Sequence, residues 1–302
     1  MRKLEINTIT ESLYFIHEKN KALLFSNDNN CITREEGGEL MEFKKIKYSQ
    51  ENGIASIILN SPKNLNALDE PMLDDLMVAL DMCADDGTIK VVVISGEGKG
   101  FSAGGDIGKM LENLEGSEQR LAPLVRKVGM TALKIRNIRK PVIASVHGPV
   151  AGAGFNFALL CDFRIAAANS KFIQAFINIG LIPDMGGTFL LTRMLGAARA
   201  TELIMTGRPV SADEALSLGL VNQVVPQENL EETTLKFAKK LNALPSIALG
   251  KMKVLINRAA FEGFENALDN ETEYQVQCTN TEDFKEGVKA FVERRKPKFQ
   301  GK

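Results

Sequence analysis

The sequence predicts an α/β protein organised around a largely parallel sheet. Three observations carry that expectation. Short apolar runs at 91–94, 142–146 and 163–166 are separated by segments whose apolar residues recur at three and four positions, which is the alternation of buried strand and amphipathic helix. Strands covered on both faces read as continuous apolar runs, and that favours parallel pairing. Beyond Gly187 the pattern turns mostly helical, apart from a short segment near 221–225, and a helical region spans about 229–295.

Taken in order, residues 1–40 differ in composition from the rest. Asn27, Asp28, Asn29 and Asn30 run together, and Glu35-Glu36-Gly37-Gly38 reads as a linker closing a loosely ordered extension. Met41 follows directly and is a candidate translation start. From Phe43 apolar and charged residues alternate as in a half-buried strand, Asn52-Gly53 makes a turn, and 54–59 returns as a second strand; Asn-Gly between two such runs is a strong hairpin signal. Leu73, Leu76, Met77 and Leu80 mark a helix that starts near Asp69-Glu70-Pro71. A strand at 91–94, a helix at 119–136, a strand at 141–146, a helix after the 148–154 loop and a strand at 163–166 follow.

Charge and residue counts exclude several classes of function. With 37 Lys+Arg against 38 Asp+Glu there is no basic footprint for nucleic acid, so an anionic ligand would need a local cluster. Two histidines, His17 and His147, are too few for a His-rich metal site. Cys31, Cys83, Cys161 and Cys278 contain no CxxC pair, so neither a zinc site nor a disulfide framework is indicated and free thiols in a reducing compartment are expected. No apolar run is long enough to span a membrane and the N-terminus lacks a secretory h-region, so the expected compartment is the cytoplasm.

Three glycine-rich loops remain, each at a strand end or a helix start: 101–107, 148–154 and 180–187. One such loop is usually a plain turn. Three at strand ends, where open α/β sheets place their ligands, point to a binding site. Small residues let backbone approach a ligand, and free N–H groups at a helix start can face an anion.

Longer stretches then become recognisable. They include Pro62-Lys63-Asn64-Leu65-Asn66-Ala67-Leu68, Phe101-Ser102-Ala103-Gly104-Gly105-Asp106-Ile107, Lys140-Pro141-Val142-Ile143-Ala144, and Gly180-Leu181-Ile182-Pro183-Asp184. Ala212-Asp213-Glu214-Ala215 with Leu218-Gly219-Leu220-Val221-Asn222, and Phe291-Val292-Glu293-Arg294-Arg295-Lys296-Pro297, complete the set. From Phe43 to about Lys302 the chain resembles the crotonase superfamily of enoyl-CoA hydratases and isomerases. The resemblance implies a crotonase-type spiral of ββα turns over 41–235, carrying an acyl-CoA site, and a C-terminal helical oligomerisation region over 236–302. It also implies homotrimers or hexamers, no metal, and no cofactor beyond the coenzyme A that is part of the substrate.

By position the family's two oxyanion-holding N–H groups fall on Gly105 and Ala153, and preorganised donors of this kind are worth about 3–4 kcal/mol each to a developing enolate. The resemblance places Lys63, Leu65, Ala103, Asp106, Ile107, Phe291 and Arg294 around the coenzyme, and Asn156 and Phe176 around the acyl group. Hydratases of this family carry two glutamates that activate water; here those positions are Asn156 and Phe176, neither of which can act as a base. One carboxylate remains, Asp184, at the place used by the family's aspartate-dependent isomerases, most closely those of ring-1,2-epoxyphenylacetyl-CoA. The expectation is therefore an acyl-CoA isomerase in which Asp184 shuttles the proton. Asp184 as a mere helix cap, a hydratase, an aryl-CoA dehalogenase and a non-catalytic acyl-CoA- or RNA-binding homologue stand as alternatives. Asn156 could bond the acyl group or satisfy the loop backbone. Asp162 and His147 read as structural hydrogen-bonding residues.

Overall fold

In a computed structural model the chain is described in full over residues 43–114 and 121–302, and as backbone over 14–18, 21–25, 31–34, 40–42 and 117–120. The backbone strands β1 (Tyr14–Glu18), β2 (Lys21–Phe25), β3 (Cys31–Arg34) and β4 (Leu40–Glu42) form an antiparallel sheet in that order, where the composition had suggested only a loose extension. The Asn27–Asn30 run and the linker expected at 35–38 lie outside the described residues.

The expected hairpin forms from β5 (Ile46–Glu51) and β6 (Ile54–Leu59), in antiparallel register with Glu51 opposite Ile54. Asn52 and Gly53 turn it with φ of 50° and 83°, the paired positive φ that a two-residue turn requires. Helix α1 (Glu70–Asp85) starts where expected: Asp69 caps it by accepting from the Met72 N–H, and Pro71 sits in the first turn, where a missing N–H costs nothing. Its buried residues Met72, Leu73, Leu76, Ala79, Leu80 and Cys83 follow the helical period.

Strand β7 (Val91–Gly96), the short α2 (Ile107–Glu112), α3 (Ser117–Asn137), β8 (Val142–Val146), β9 (Pro149–Ala151), α4 (Ala153–Leu160) and β10 (Phe163–Ala167) follow. After these come β11 (Lys171–Ile173), a 3-10 turn at Ala175–Ile179, α5 (Gly187–Leu195), α6 (Ala197–Thr206), β12 (Pro209–Ser211), α7 (Ala212–Ser217) and β13 (Gln223–Val225). The main sheet runs β13-β10-β8-β7-β6-β5, parallel except for the β5–β6 hairpin. Strand period decides its two faces. Val91, Ile143, Ile165 and Ala167 point to one apolar cluster, while Val92, Ile94, Val142, Ala144 and Ala166 point to the other. Both faces are covered, as the unbroken apolar runs implied.

The C-terminal helices are α8 (Leu230–Asn242), α9 (Ser246–Ala260), α10 (Phe264–Thr279) and α11 (Glu282–Val292). Leu230, Ala238 and Leu241 of α8 pack on the main sheet, so the expected boundary at 235/236 falls inside a helix that belongs with the core. α10 lies on α3, and α11 packs on α2 and on the 175–179 turn. Asp162 ties three elements together: it accepts from Arg136 Nη1 (3.2 Å), Lys253 Nζ (2.7 Å) and the Val142 N–H (2.8 Å). No helix among the described residues is long and apolar enough to cross a membrane.

Candidate active site

Two loops leave the carboxyl ends of the adjacent strands β7 and β8, where a parallel sheet opens a crevice. The first is zipped against the 62–68 segment. The Ala103 N–H donates to Leu65 O (2.9 Å), the Leu68 N–H to Gly104 O (2.8 Å) and Ser102 Oγ to Asn66 O (2.8 Å). Asn66 Nδ2 faces the carbonyls of Glu97, Gly100 and Phe101. Leu65 and Asn66 are held at φ of 53° and 55°, a conformation costly for a non-glycine residue and sustained here by these bonds.

The second loop locks onto the first. Ser102 bridges to Val150 in parallel, and the Ala151 N–H donates to Ser102 O (2.9 Å). Gly104 has φ of 89°, and a β-carbon there would come 2.7 Å from Ala151 O and 3.0 Å from Ala153 N. Backbone thus meets backbone at this crossing, and only glycine allows it. Among the described residues neither the Gly105 N–H nor the Ala153 N–H has an acceptor. Ala153 opens α4, whose first N–H groups have no intrahelical partner and whose dipole favours negative charge.

Asn156 sits one turn further along α4 and is wholly buried. Its Nδ2 donates to the Asp184 carbonyl (2.8 Å) and its Oδ1 accepts from Gln174 Nε2 (2.7 Å), so the side chain satisfies the frame of the site. Phe176, in the 3-10 turn, brings its ring 3.7 Å from where a Gly152 β-carbon would stand. The site therefore has an amide and a phenyl ring where the hydratase glutamates are expected.

Asp184 is 9% exposed and its Oδ1 is enclosed without a hydrogen-bond partner. Burial pushes its carboxyl up to about 7 from an ordinary 3.8. It does not cap α5: the N-cap is Gly186, and Glu271 of α10 takes the Gly186 and Thr188 N–H groups at 2.7 and 3.1 Å. Glu271 is itself 6% exposed and is pushed up to about 8 by burial, opposed by its N–H bonds and reinforced by the Asp184 charge. At neutral pH the carboxyl of Asp184 can both accept and return a proton, which suits a shuttle.

Other candidates fall into two groups. Lys63, Leu65, Ala103, Asp106 and Ile107 lie together on the paired 62–68 and 101–107 segments; Lys63 is exposed, and Asp106 caps α2 by accepting from the Lys109 N–H and also accepts from Asn64 Nδ2. Phe291 and Arg294 stand exposed at the end of α11, with Arg294 at φ of 55°. His147 holds the Gly98 carbonyl at 2.9 Å, as a turn residue would. Cys83 and Cys161 are buried thiols, each pushed up to about 12 by burial. No cluster of potential metal ligands occurs among the described residues. Sequence reasoning passed over Glu271 and Gln275. The available signal was periodicity: Phe264, Leu268, Glu271 and Gln275 form one helical stripe, so a carboxylate continues an apolar face.

The sequence profile described as "Enoyl-CoA hydratase/isomerase" matches residues 49–302. The chain is 39% identical over 263 residues to the trans-2-decenoyl-[acyl-carrier-protein] isomerase of Streptococcus mutans, covering 87% of this chain and 100% of that one. It is 38% identical to the 1,2-epoxyphenylacetyl-CoA isomerase of Escherichia coli, again over 87% of this chain and 100% of the other, and 36% identical to the short-chain-enoyl-CoA hydratase of Clostridium acetobutylicum, over 85% and 97%. Among solved structures it superposes on an enoyl-CoA hydratase from Mycobacterium avium subsp. paratuberculosis with a TM-score of 0.77 at 33% identity, covering 85% of this chain and 99% of that one.

Proposed function

The chain belongs to the enoyl-CoA hydratase/isomerase family, and from that premise we propose that it is an isomerase of acyl thioesters in which Asp184 moves a proton between two carbons. The observation that carries this reading is the identity of the buried groups. One carboxyl with an unpartnered oxygen and a pKa near neutrality, Asp184, is bonded through its carbonyl to Asn156, and Phe176 lies against Gly152; neither of these side chains can activate water. For a 2-enoyl thioester, Asp184 takes a proton from C4, the electron pair delocalises onto the thioester oxygen as a dienolate, and the Gly105 and Ala153 N–H groups hold that oxygen. Return of the proton to C2 moves the double bond to C3 and leaves Asp184 ionised again, so atoms and charge balance. Ring-1,2-epoxyphenylacetyl-CoA is a further substrate of the same class, supported by the likeness to the Escherichia coli enzyme.

The likeness to the Streptococcus mutans enzyme makes acyl carrier protein a second thioester carrier beside coenzyme A. We assign the coenzyme end to the paired segments bearing Lys63, Leu65, Ala103, Asp106 and Ile107, and propose that Phe291 of α11 and Arg294 just beyond it reach the coenzyme across a subunit boundary. A trimer or hexamer fits the exposed Ile247, Met252, Leu255 and Ile256 on α9. The test is a product assay on 2-enoyl and 3-enoyl thioesters of both carriers, read by mass spectrometry. Isomerisation leaves the mass unchanged and shifts the double bond. Predominant gain of one water by the wild-type protein would contradict the proposal.

A further inference from the structure

Asp184 lies on a segment that its own sequence holds poorly. Met185, the next residue, is fully buried at φ of 55°, and Gly186 follows at φ of 80°. A methionine in the left-handed region is disfavoured sterically and persists only where the surroundings over-determine it. Those surroundings come from one face of α10. Gln275 Oε1 accepts the Ile182 N–H (3.1 Å) on one side of Asp184, and Glu271 accepts the Gly186 and Thr188 N–H groups (2.7 and 3.1 Å) on the other. Glu271 and Gln275 are four residues apart and share a helical face with Phe264, whose ring fills the space over Gly186.

The choice of a carboxyl at Glu271 is informative. It is buried with no cation among its hydrogen-bond partners, a costly placement. A single amide oxygen cannot receive two N–H groups that point at two separate oxygens, whereas a carboxyl receives both. We propose that Glu271, seconded by Gln275, is a positioning residue for the isomerisation: Glu271 fixes the backbone after Asp184 and Gln275 the backbone before it, and together they hold the catalytic carboxyl in place. This rests on the reading of Asp184 as the base.

Glu271→Leu, Glu271→Gln, Gln275→Leu and Asp184→Asn are compared on the intact protein, with thermal melts and full steady-state kinetics. Glu271→Leu removes both acceptors at similar size, and kcat is expected to fall ~10–100-fold because small misplacements of a reacting group have effects of that order. KM should stay within about twofold, since binding groups are untouched. Glu271→Gln keeps one acceptor oxygen and should recover kcat to within ~10-fold of wild type. If Glu271→Leu does not fold, Gln275→Leu serves, with kcat expected to fall ~3–10-fold at unchanged KM. A merely structural role predicts lowered melting points with normal kcat per folded molecule, and that result overturns the inference. Wild-type kcat in the Glu271 and Gln275 variants beside an inactive Asp184→Asn removes the brace and leaves the base standing. An active Asp184→Asn overturns both.

Discussion

The two halves of the candidate site are built in opposite ways. The oxyanion half, around Gly104, Gly105, Gly152 and Ala153, is held mainly by backbone: two loops at the ends of adjacent strands cross where only glycine lets them touch, and the Gly105 and Ala153 N–H groups have no acceptor among the described residues. The carboxyl half, around Asp184, is backbone held by distant side chains, Asn156 of α4 and Glu271 and Gln275 of α10. The first arrangement presents only backbone to the ligand, and the side chains that brace it, Asn66 and Ser102, lie in or beside the same loops. The second depends on particular side chains contributed by separate parts of the chain.

The oxyanion half should break most sharply when its N–H is deleted. Ala153 is the first residue of α4, where proline is tolerated, so Ala153→Pro removes one donor with little strain in the helix. We expect kcat/KM to fall ~10²–10³-fold with the melting point nearly unchanged. Steady-state kinetics beside a thermal melt check both parts, and a loss under tenfold would argue that the second N–H is not used.

The carboxyl half should instead lose stability and activity together. Asn156→Leu leaves Gln174 Nε2 without its partner and the Asp184 carbonyl with the Gly187 N–H alone, and an unsatisfied buried polar group of this kind costs about 1–3 kcal/mol. Chemical denaturation should show the loss, with kcat down ~10-fold from displacement of Asp184.

This difference also explains what could be read from the sequence. The 101–107 and 148–154 loops were legible because the constraint on them is local: glycine at a positive φ, a strand before and a helix after. The buried strands were legible because two-sided burial leaves unbroken apolar runs such as Val91-Val92-Val93-Ile94. Glu271 was not legible as part of the site. It meets Gly186 across 85 residues of chain, and nothing near 271 distinguishes a carboxyl that receives backbone N–H groups from one on a solvated face. The backbone of α8 showed its helix in the sequence, but its packing on the sheet is tertiary, so the boundary at 235/236 could not be placed from composition.

Titration separates the halves further, since the Gly105 and Ala153 N–H groups do not ionise and Asp184 does. Asp184 titrates at about 7 when folded against an ordinary 3.8. An acid raised in this way contributes stability that is fully present below its unfolded pKa and is lost as pH rises through the folded one. Asp184→Asn escapes that loss. The variant should therefore gain on wild type from about pH 4 to pH 8, by on the order of 2–4 kcal/mol at the upper end. Denaturant midpoints across that range check the sign; a difference that shrinks as pH rises would contradict it. The smallest effect is expected at the coenzyme end, where Lys63 is an exposed cation: Lys63→Ala should raise KM by only ~2–5-fold and leave kcat alone, in keeping with the small worth of surface charge pairs.

The most direct measurement is kcat of Asp184→Asn on a substrate that the wild type isomerises, with folding confirmed by the same melts. Asparagine keeps the size and polarity of the side chain and removes the base. If Asp184 shuttles the proton, kcat falls ~10²–10⁴-fold while KM changes little. Turnover within a few-fold of wild type in the folded variant would contradict the central claim, because the carboxyl would then be a part of the frame alone.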